Sequence, residues 1–143
     1  MAADVPDVPE CRESFWPNGR LRHRCFYVNG ELHNTNGPAL EQWHASGRIH
    51  YRSFAVNNML HRTDGPAWEE WNDEGRFFPT FWVNGKPLSE EDFIAWQERQ
   101  QRQRELRALA FALEHKFPAD APEREFLRRI LPAHMAGGSG HVN

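Results

Sequence analysis

The sequence predicts a mainly β protein, an antiparallel meander of hairpins followed by an α-helical tail, α+β overall. Three observations carry that expectation. A seven-residue stretch occurs twice at a spacing of 28, His33-Asn34-Thr35-Asn36-Gly37-Pro38-Ala39 and His61-Arg62-Thr63-Asp64-Gly65-Pro66-Ala67, and a fixed period signals repeat architecture. Asn29-Gly30, Asn57-Asn58 and Asn84-Gly85 sit between strand-like runs, where a two-residue hairpin needs positive φ at both central positions. Ser89 followed by Glu90, Glu91 and Asp92 is a helix start, with a hydroxyl cap and acids at the positive end of the dipole.

In chain order, residues 1–13 read as a flexible acidic lead, because two Val-Pro steps block regular pairing. Residues 14–88 form the β-repeat domain. It opens with half a module, since Phe15-Trp16-Pro17-Asn18-Gly19-Arg20-Leu21 precedes Trp43-His44-Ala45-Ser46-Gly47-Arg48-Ile49 by the same 28 residues. Each module carries an Asn-turn hairpin and a longer hairpin ending at Gly19, Gly47 or Gly75. Asn58 stands where glycine is usual and is tolerated, since Asn visits the left-handed region readily. The apolar pattern changes face at Cys25-Phe26 and at Ser53-Phe54, which predicts a bulge or bend near residues 24–26 and 52–54. The third module is one residue shorter around Phe78-Pro79-Thr80, where proline marks an edge or bulge.

Residues 89–132 form the helical appendage, with helices over about 90–116 and 121–131, the second capped at Asp120-Ala121-Pro122-Glu123. The first turn is apolar (Phe93, Ile94, Trp96) and the last third has a stripe at Leu106, Leu109, Ala110 and Leu113. Gln97 to Glu105 is polar all round, so it crosses solvent or meets a partner. Leu109 and Leu113 with Phe126, Leu127, Ile130 and Leu131 suggest a helical hairpin and a possible homo-oligomer through it. Residues 133–143 have flexible-linker composition.

The 143 residues carry 17 basic and 20 acidic groups, a net charge of −3, which gives no case for wrapping a nucleic-acid backbone. Six Trp in so polar a chain predict a core built from rings. Cys11 and Cys25 lie in no cluster of metal spacing, so neither metal nor cofactor is expected and both thiols read as free. The N-terminus lacks the basic and apolar regions of a signal peptide and no run approaches membrane-spanning length. A cytoplasmic setting is the expectation.

Several residues invite functional readings. His33 and His61 each stand three residues before an amide or acid, and the structural explanation is a hydrogen bond from imidazole to the Asn36 or Asp64 loop. Catalysis would need a nucleophile, and metal binding a third ligand, at matching spacing. Asn36-Gly37-Pro38 and Asp64-Gly65-Pro66 resemble phosphate loops only superficially, because proline removes a donor and a strand follows. They are structural repeat positions. Glu41 and Glu69 with Arg20, Arg48 and Arg76 suggest a cross-strand ladder.

Trp43, Trp68, Trp71, Phe77, Phe78, Phe81 and Trp82 are dense for a thin sheet. They pack on the first turn of the helix, or a subset forms an exposed binding patch. Arg99, Arg102, Arg104 and Arg107 form a solvated face or a docking surface. The partner-binding candidates are therefore Trp68, Phe78, Trp82, Arg99, Arg102, Arg104 and Arg107.

The string Asn-Gly-x-Leu-His-x-x-Asn/Asp-Gly-Pro-Ala-x-Glu-x-Trp-x-x-x-Gly-Arg resembles the variant MORN-like repeats of small phage, viral and antitoxin-like proteins, over about residues 15–88. The Gly-Pro-Ala core and shorter turns depart from the ordinary MORN consensus. The resemblance implies a β-repeat ribbon used mostly for interaction: a non-catalytic protein-binding module, an inhibitor of a host defence complex (anti-CRISPR-like) or an antitoxin, in the host cytoplasm if viral. The helical tail from about Gln97 is outside that pattern. A small-ligand or sequestering oligomer with aromatic pockets between repeats is the alternative reading, and an enzyme centred on His33 and His61 is a third.

Overall fold

Pairs of left-handed residues decide where this chain doubles back. Asn29 and Gly30 (φ 52° and 80°), Asn57 and Asn58 (51° and 61°), and Asn84 and Gly85 (50° and 74°) each supply the two consecutive positive φ values of a type I′ turn. Gly19, Gly47 and Gly75 close the other hairpins at φ 80–90°.

The computed structural model describes residues 8–131. Between the turns run β1 (Glu10–Phe15), β2 (Leu21–Val28), β3 (Glu31–Leu32), β4 (Leu40–Trp43), β5 (Ile49–Ser53), β6 (Ala55–Val56), β7 (Met59–Leu60), β8 (Trp68–Trp71), β9 (Phe77–Val83) and β10 (Lys86–Leu88). Helices α1 (Glu90–Lys116) and α2 (Pro122–Ile130) follow. An eight-stranded antiparallel sheet runs β1-β2-β4-β5-β8-β9-β10, with β3 paired to the end of β2, while β6 and β7 pair with each other.

The lead is shorter than expected. Glu10–Phe15 is an edge strand in register with β2, Glu10 opposite Tyr27 and Ser14 opposite His23. Side chains explain why pairing begins there: Arg12 lies over the Tyr27 ring at 4.8 Å and Glu13 accepts from Arg24 at 2.7 Å. Residues 1–7 and 132–143, with the flexible-tail expectation that falls on them, lie outside the described residues.

The expected bends fall where strands change partner. β2 pairs with β4 through Cys25 and with β3 from Tyr27, while Phe54 interrupts the path between β5 and β6. Both phenylalanines bond alike: Phe26 N donates to Ala39 O at 2.8 Å and Phe54 N to Ala67 O at 2.7 Å. Shifts of register occur elsewhere, between Ser14 and Phe15 and between Gln42 and Trp43. In β9, Pro79 faces Glu69 without interrupting the strand.

The Asn-turn hairpins bond to one another in series. Asn58 N donates to Leu32 O at 3.0 Å, Gly85 N to Leu60 O at 2.9 Å, and Asn34 N to Ala55 O at 3.0 Å. Asn58 does more than tolerate its conformation, because its Oδ1 accepts from Leu32 N at 2.7 Å. Asn58→Gly, which improves the turn residue, is therefore expected to destabilise by about 1 kcal/mol through the lost hydrogen bond. Urea unfolding of the variant checks this, and stabilisation would contradict it.

The core is not built from rings. The buried apolar residues of the sheet are Cys25, Ala39, Ala55, Ala67 and Val83, joined by Ser53 and Glu69, while most tryptophans are half-buried. Backbones that hydrogen-bond across Ala39, Ser53 and Ala67 leave room only for small side chains. Of the dense aromatics, Phe81 lies against the helix start, 4.8 Å from Phe93, which is 3% exposed.

The chain divides into two compact units, Met1–Phe93 and Ile94–Asn143, so the first turn of α1 belongs with the sheet. Ser89 caps α1 as expected, its Oγ accepting from Asp92 N at 3.0 Å. Within the second unit, Arg124 ties α2 to α1 by donating to Leu113 O at 2.9 Å and Glu114 O at 2.7 Å, and Leu113 and Leu131 are buried. Ala121 makes no side-chain cap, so Pro122 at the first turn sets where α2 begins. Leu109, Phe111, Phe126 and Ile130 remain exposed.

Candidate functional site

Strand alternation sorts the sheet's side chains onto two faces. The first carries a charge ladder across five strands: Glu13 opposite Arg24, Arg24 opposite Glu41, Glu41 opposite Arg52, Arg52 opposite Glu69. The ladder was expected with Arg20, Arg48 and Arg76. Arg20 instead donates to Ala45 O and Ser46 O, Arg48 to Asp73 O, and Arg76 lies over the Phe78 ring at 5.3 Å. A Gly-ended turn exposes carbonyls, and the following Arg braces those of the next turn. The signal for the true partners was present, because Arg24 and Arg52 are also 28 residues apart.

The ladder is most enclosed at Glu69, which is 6% exposed. Its carboxylate is held by Arg52 Nε and by Arg62 Nη1 at 2.9 Å. Arg62 also donates to Asp64 Oδ1 at 2.7 Å and Pro66 O at 3.1 Å, and lies 3.8 Å above the Phe54 ring. The Arg62 hydrogen bond holds the Asp64 carboxyl below its ordinary value of 3.8. At the corresponding place upstream, Asn34 Nδ2 donates to Pro38 O at 2.9 Å and Asn36 N to Asn34 Oδ1. Asn36, Gly37, Pro38, Asp64, Gly65 and Pro66 thus belong to loops braced from positions 34 and 62.

His33 and His61 do not bond to those loops. His33 Nδ1 lies 2.9 Å from Asn57 Oδ1 and 3.3 Å from Asn57 N, and Asn84 N donates to His61 Nδ1 at 3.0 Å. Each imidazole reaches the following Asn turn. The expectation failed because proximity along the chain favoured position 36 or 64, whereas the stacked hairpins bring residues 23 and 24 positions away closer.

Between the loops lies a polar groove of about 740 Å³, lined among others by Asn36, Phe54, His61, Arg62, Asp64 and Asn84. A smaller groove of about 310 Å³ has Val28, His33, Asn36 and Asn57 in its lining.

The opposite sheet face gathers the aromatic candidates. Trp68 stands opposite Thr80, and Phe78, Thr80 and Trp82 alternate along β9, so Trp68, Phe78 and Trp82 share one face. Tyr51 stacks on Trp68 with centroids 4.9 Å apart. Trp68 Nε1 donates to Glu70 Oε2 at 3.2 Å and Trp82 Nε1 to Thr80 Oγ1 at 3.0 Å. The indoles' polar atoms are thereby satisfied within the sheet while Phe78 stays 43% exposed. Burial pushes the Tyr51 hydroxyl upward.

Arg99, Arg102, Arg104 and Arg107 are all exposed on α1, in the second unit. At about 100° per residue they spread around much of the helix and share no single face.

Cys11 is exposed and Cys25 buried, both free, and burial pushes the Cys25 thiol upward. Iodoacetamide is expected to modify Cys11 in the native protein and Cys25 only on unfolding. Mass spectrometry of the labelled peptides checks this, and equal native labelling would contradict it. No group of three potential metal-ligating side chains occurs among the described residues. No helix among them is long and apolar enough to cross a membrane.

The fold and these surfaces define an antiparallel β scaffold with a helical extension. No family model matches the chain, and neither the curated proteins nor the solved structures include a match to it.

Proposed function

We propose that this chain is a non-catalytic protein-binding module built from MORN-like hairpin repeats, which acts by covering a functional surface of its partner. The single observation that carries this reading is the aromatic face formed by Tyr51, Trp68, Phe78 and Trp82. Its indole N–H groups are already bonded within the sheet, so ring surface is offered without unpaired donors. Tryptophan, tyrosine and arginine are the residue types that dominate binding energy at interfaces. By the resemblance of its repeats, the partner is a host defence or toxin complex and the chain is an inhibitor of phage type or an antitoxin. Arg102 on α1 supplies a second contact.

The test is a Trp82→Ala, Arg102→Glu double variant assayed against the partner captured by the wild-type chain. Loss of at least about 2 kcal/mol of affinity with an unchanged circular dichroism spectrum is expected. Undiminished affinity in a folded double variant removes this surface from the reading. A ligand-sequestering role has one observation in its favour, the 740 Å³ groove lined by Asn36, His61, Asp64 and Asn84. It predicts excess mass on the purified chain that His61→Ala removes.

A further inference from the structure

On the charge-ladder face, an aromatic residue follows each acid of the ladder by two positions: Phe15 after Glu13, Trp43 after Glu41, Trp71 after Glu69. These three stand at the same register, opposite Leu21, Ile49 and Phe77. They lie on β1, β4 and β8, each two strands from the next. At about 4.8 Å per strand, that row has a period of about 9.6 Å. Phe15 is 58% exposed, and Phe77, stacked on Trp71 at 5.0 Å, is 43% exposed. Arg48, Ile49, Trp71, Asn72 and Gly75 enclose a slot of about 310 Å³ on this row. Arg48 lines it, Arg20 holds the equivalent place 28 residues earlier, and both bond backbone carbonyls rather than carboxylates.

A polyproline II helix has three residues per turn and rises about 9.3 Å per turn, nearly the period of the row. A ligand matching it would place an apolar residue and an acid at every third position. The chain contains such a segment: Ala2-Ala3-Asp4, Val5-Pro6-Asp7, Val8-Pro9-Glu10 is three triplets, each ending in an acid. Its last triplet is described by the structure, and Val8 there is 76% exposed. β1 leads away from this segment toward the row, with Glu10 opposite Tyr27 and Phe15 at the far end opposite Leu21.

We infer that the aromatic and arginine row of one copy binds the first two triplets, Ala2-Ala3-Asp4 and Val5-Pro6-Asp7, of a second copy as a polyproline II strand, Glu10 being held in β1 by Arg12. Valine and proline side chains enter between the rings, and the acids face Arg20 and Arg48. This surface is separate from the face holding Trp68 and Trp82, so its failure leaves the function proposed above untouched.

The test is fluorescence anisotropy of a labelled Ala2–Glu10 peptide titrated with the full-length chain, beside sedimentation of the chain alone. Saturable binding is expected below about 1 mM, with a loss of about tenfold in Arg48→Gln and in Trp71→Ala. Raising NaCl from about 50 to about 300 mM is expected to weaken it, since the contacts are exposed charges. Concentration-dependent dimerisation is expected to disappear when Asp4 and Asp7 are both changed to Asn. Arg48→Gln, confirmed as folded by circular dichroism, keeps the test decisive if Trp71→Ala unfolds. Equal binding of a scrambled peptide, or none at about 1 mM, overturns the inference. Displacement of the peptide by oligothymidylate overturns it in favour of single-stranded nucleic acid. A chain that binds peptide yet stays monomeric at all concentrations overturns the assignment to a second copy.

Discussion

Replacing Glu69 by alanine is expected to lower the unfolding free energy by about 2–3 kcal/mol, the largest loss available from a single charged residue in the sheet. Glu69 is 6% exposed, and its carboxylate is shared by Arg52 and Arg62. Removing it leaves two guanidiniums facing each other without their common counter-ion. Because the Arg52 side chain is 38% exposed, water recovers part of the cost, which keeps the figure below that for a fully buried pair. Urea unfolding should show a lower midpoint at unchanged m, and a shift below about 0.5 kcal/mol would contradict the role given to the network.

Asp64 adds a pH signature. Its folded value is depressed, first by the Arg62 hydrogen bond, so its contribution is complete above the ordinary value of 3.8. That contribution fades as pH falls through the lower folded value. Asp64→Asn should flatten the stability profile in this acid range alone.

Ala67→Leu is expected to cost about 3 kcal/mol, roughly a 10 °C fall in melting temperature. Ala67 and Ala39 are both fully buried, and their backbones bond directly to neighbouring chain, Phe54 N to Ala67 O at 2.7 Å and Ala39 N to Ser53 O at 2.8 Å. An added isobutyl group has no void to enter. It must separate backbones that these hydrogen bonds hold together. Calorimetry of Ala67→Leu beside Ala67→Gly separates overpacking from lost burial. A leucine variant as stable as wild type would mean that the alanine positions are roomy.

These outcomes mark where the sequence was readable. Turns were legible because Asn-Gly and Gly-Arg placements are local: the positive φ values at Asn29, Asn57, Asn58 and Asn84 follow from chemistry within two residues. The helix start at Ser89 was legible for the same reason. Partners across the sheet were not. The residue pairing with Glu69 depends on register: Arg52 stands opposite it within β5, whereas Arg48, of the same parity and so no different in face, lies before β5 begins. Composition misled about the core, since six tryptophans say nothing about which positions have close backbones, and those went to alanine, serine and cysteine. The aromatic face was half legible. Trp68, Phe78 and Trp82 come together, but the tight pairing of Tyr51 with Trp68 needs two strands to be set side by side.

The most direct measurement of the central claim is affinity capture from bacterial lysate with the tagged full-length chain, read by native mass spectrometry of the eluate. The binding-module account predicts one protein recovered at fixed stoichiometry and lost in the Trp82→Ala, Arg102→Glu variant. A chain that returns without protein but carries a small-molecule mass would contradict it and place the function in the polar groove.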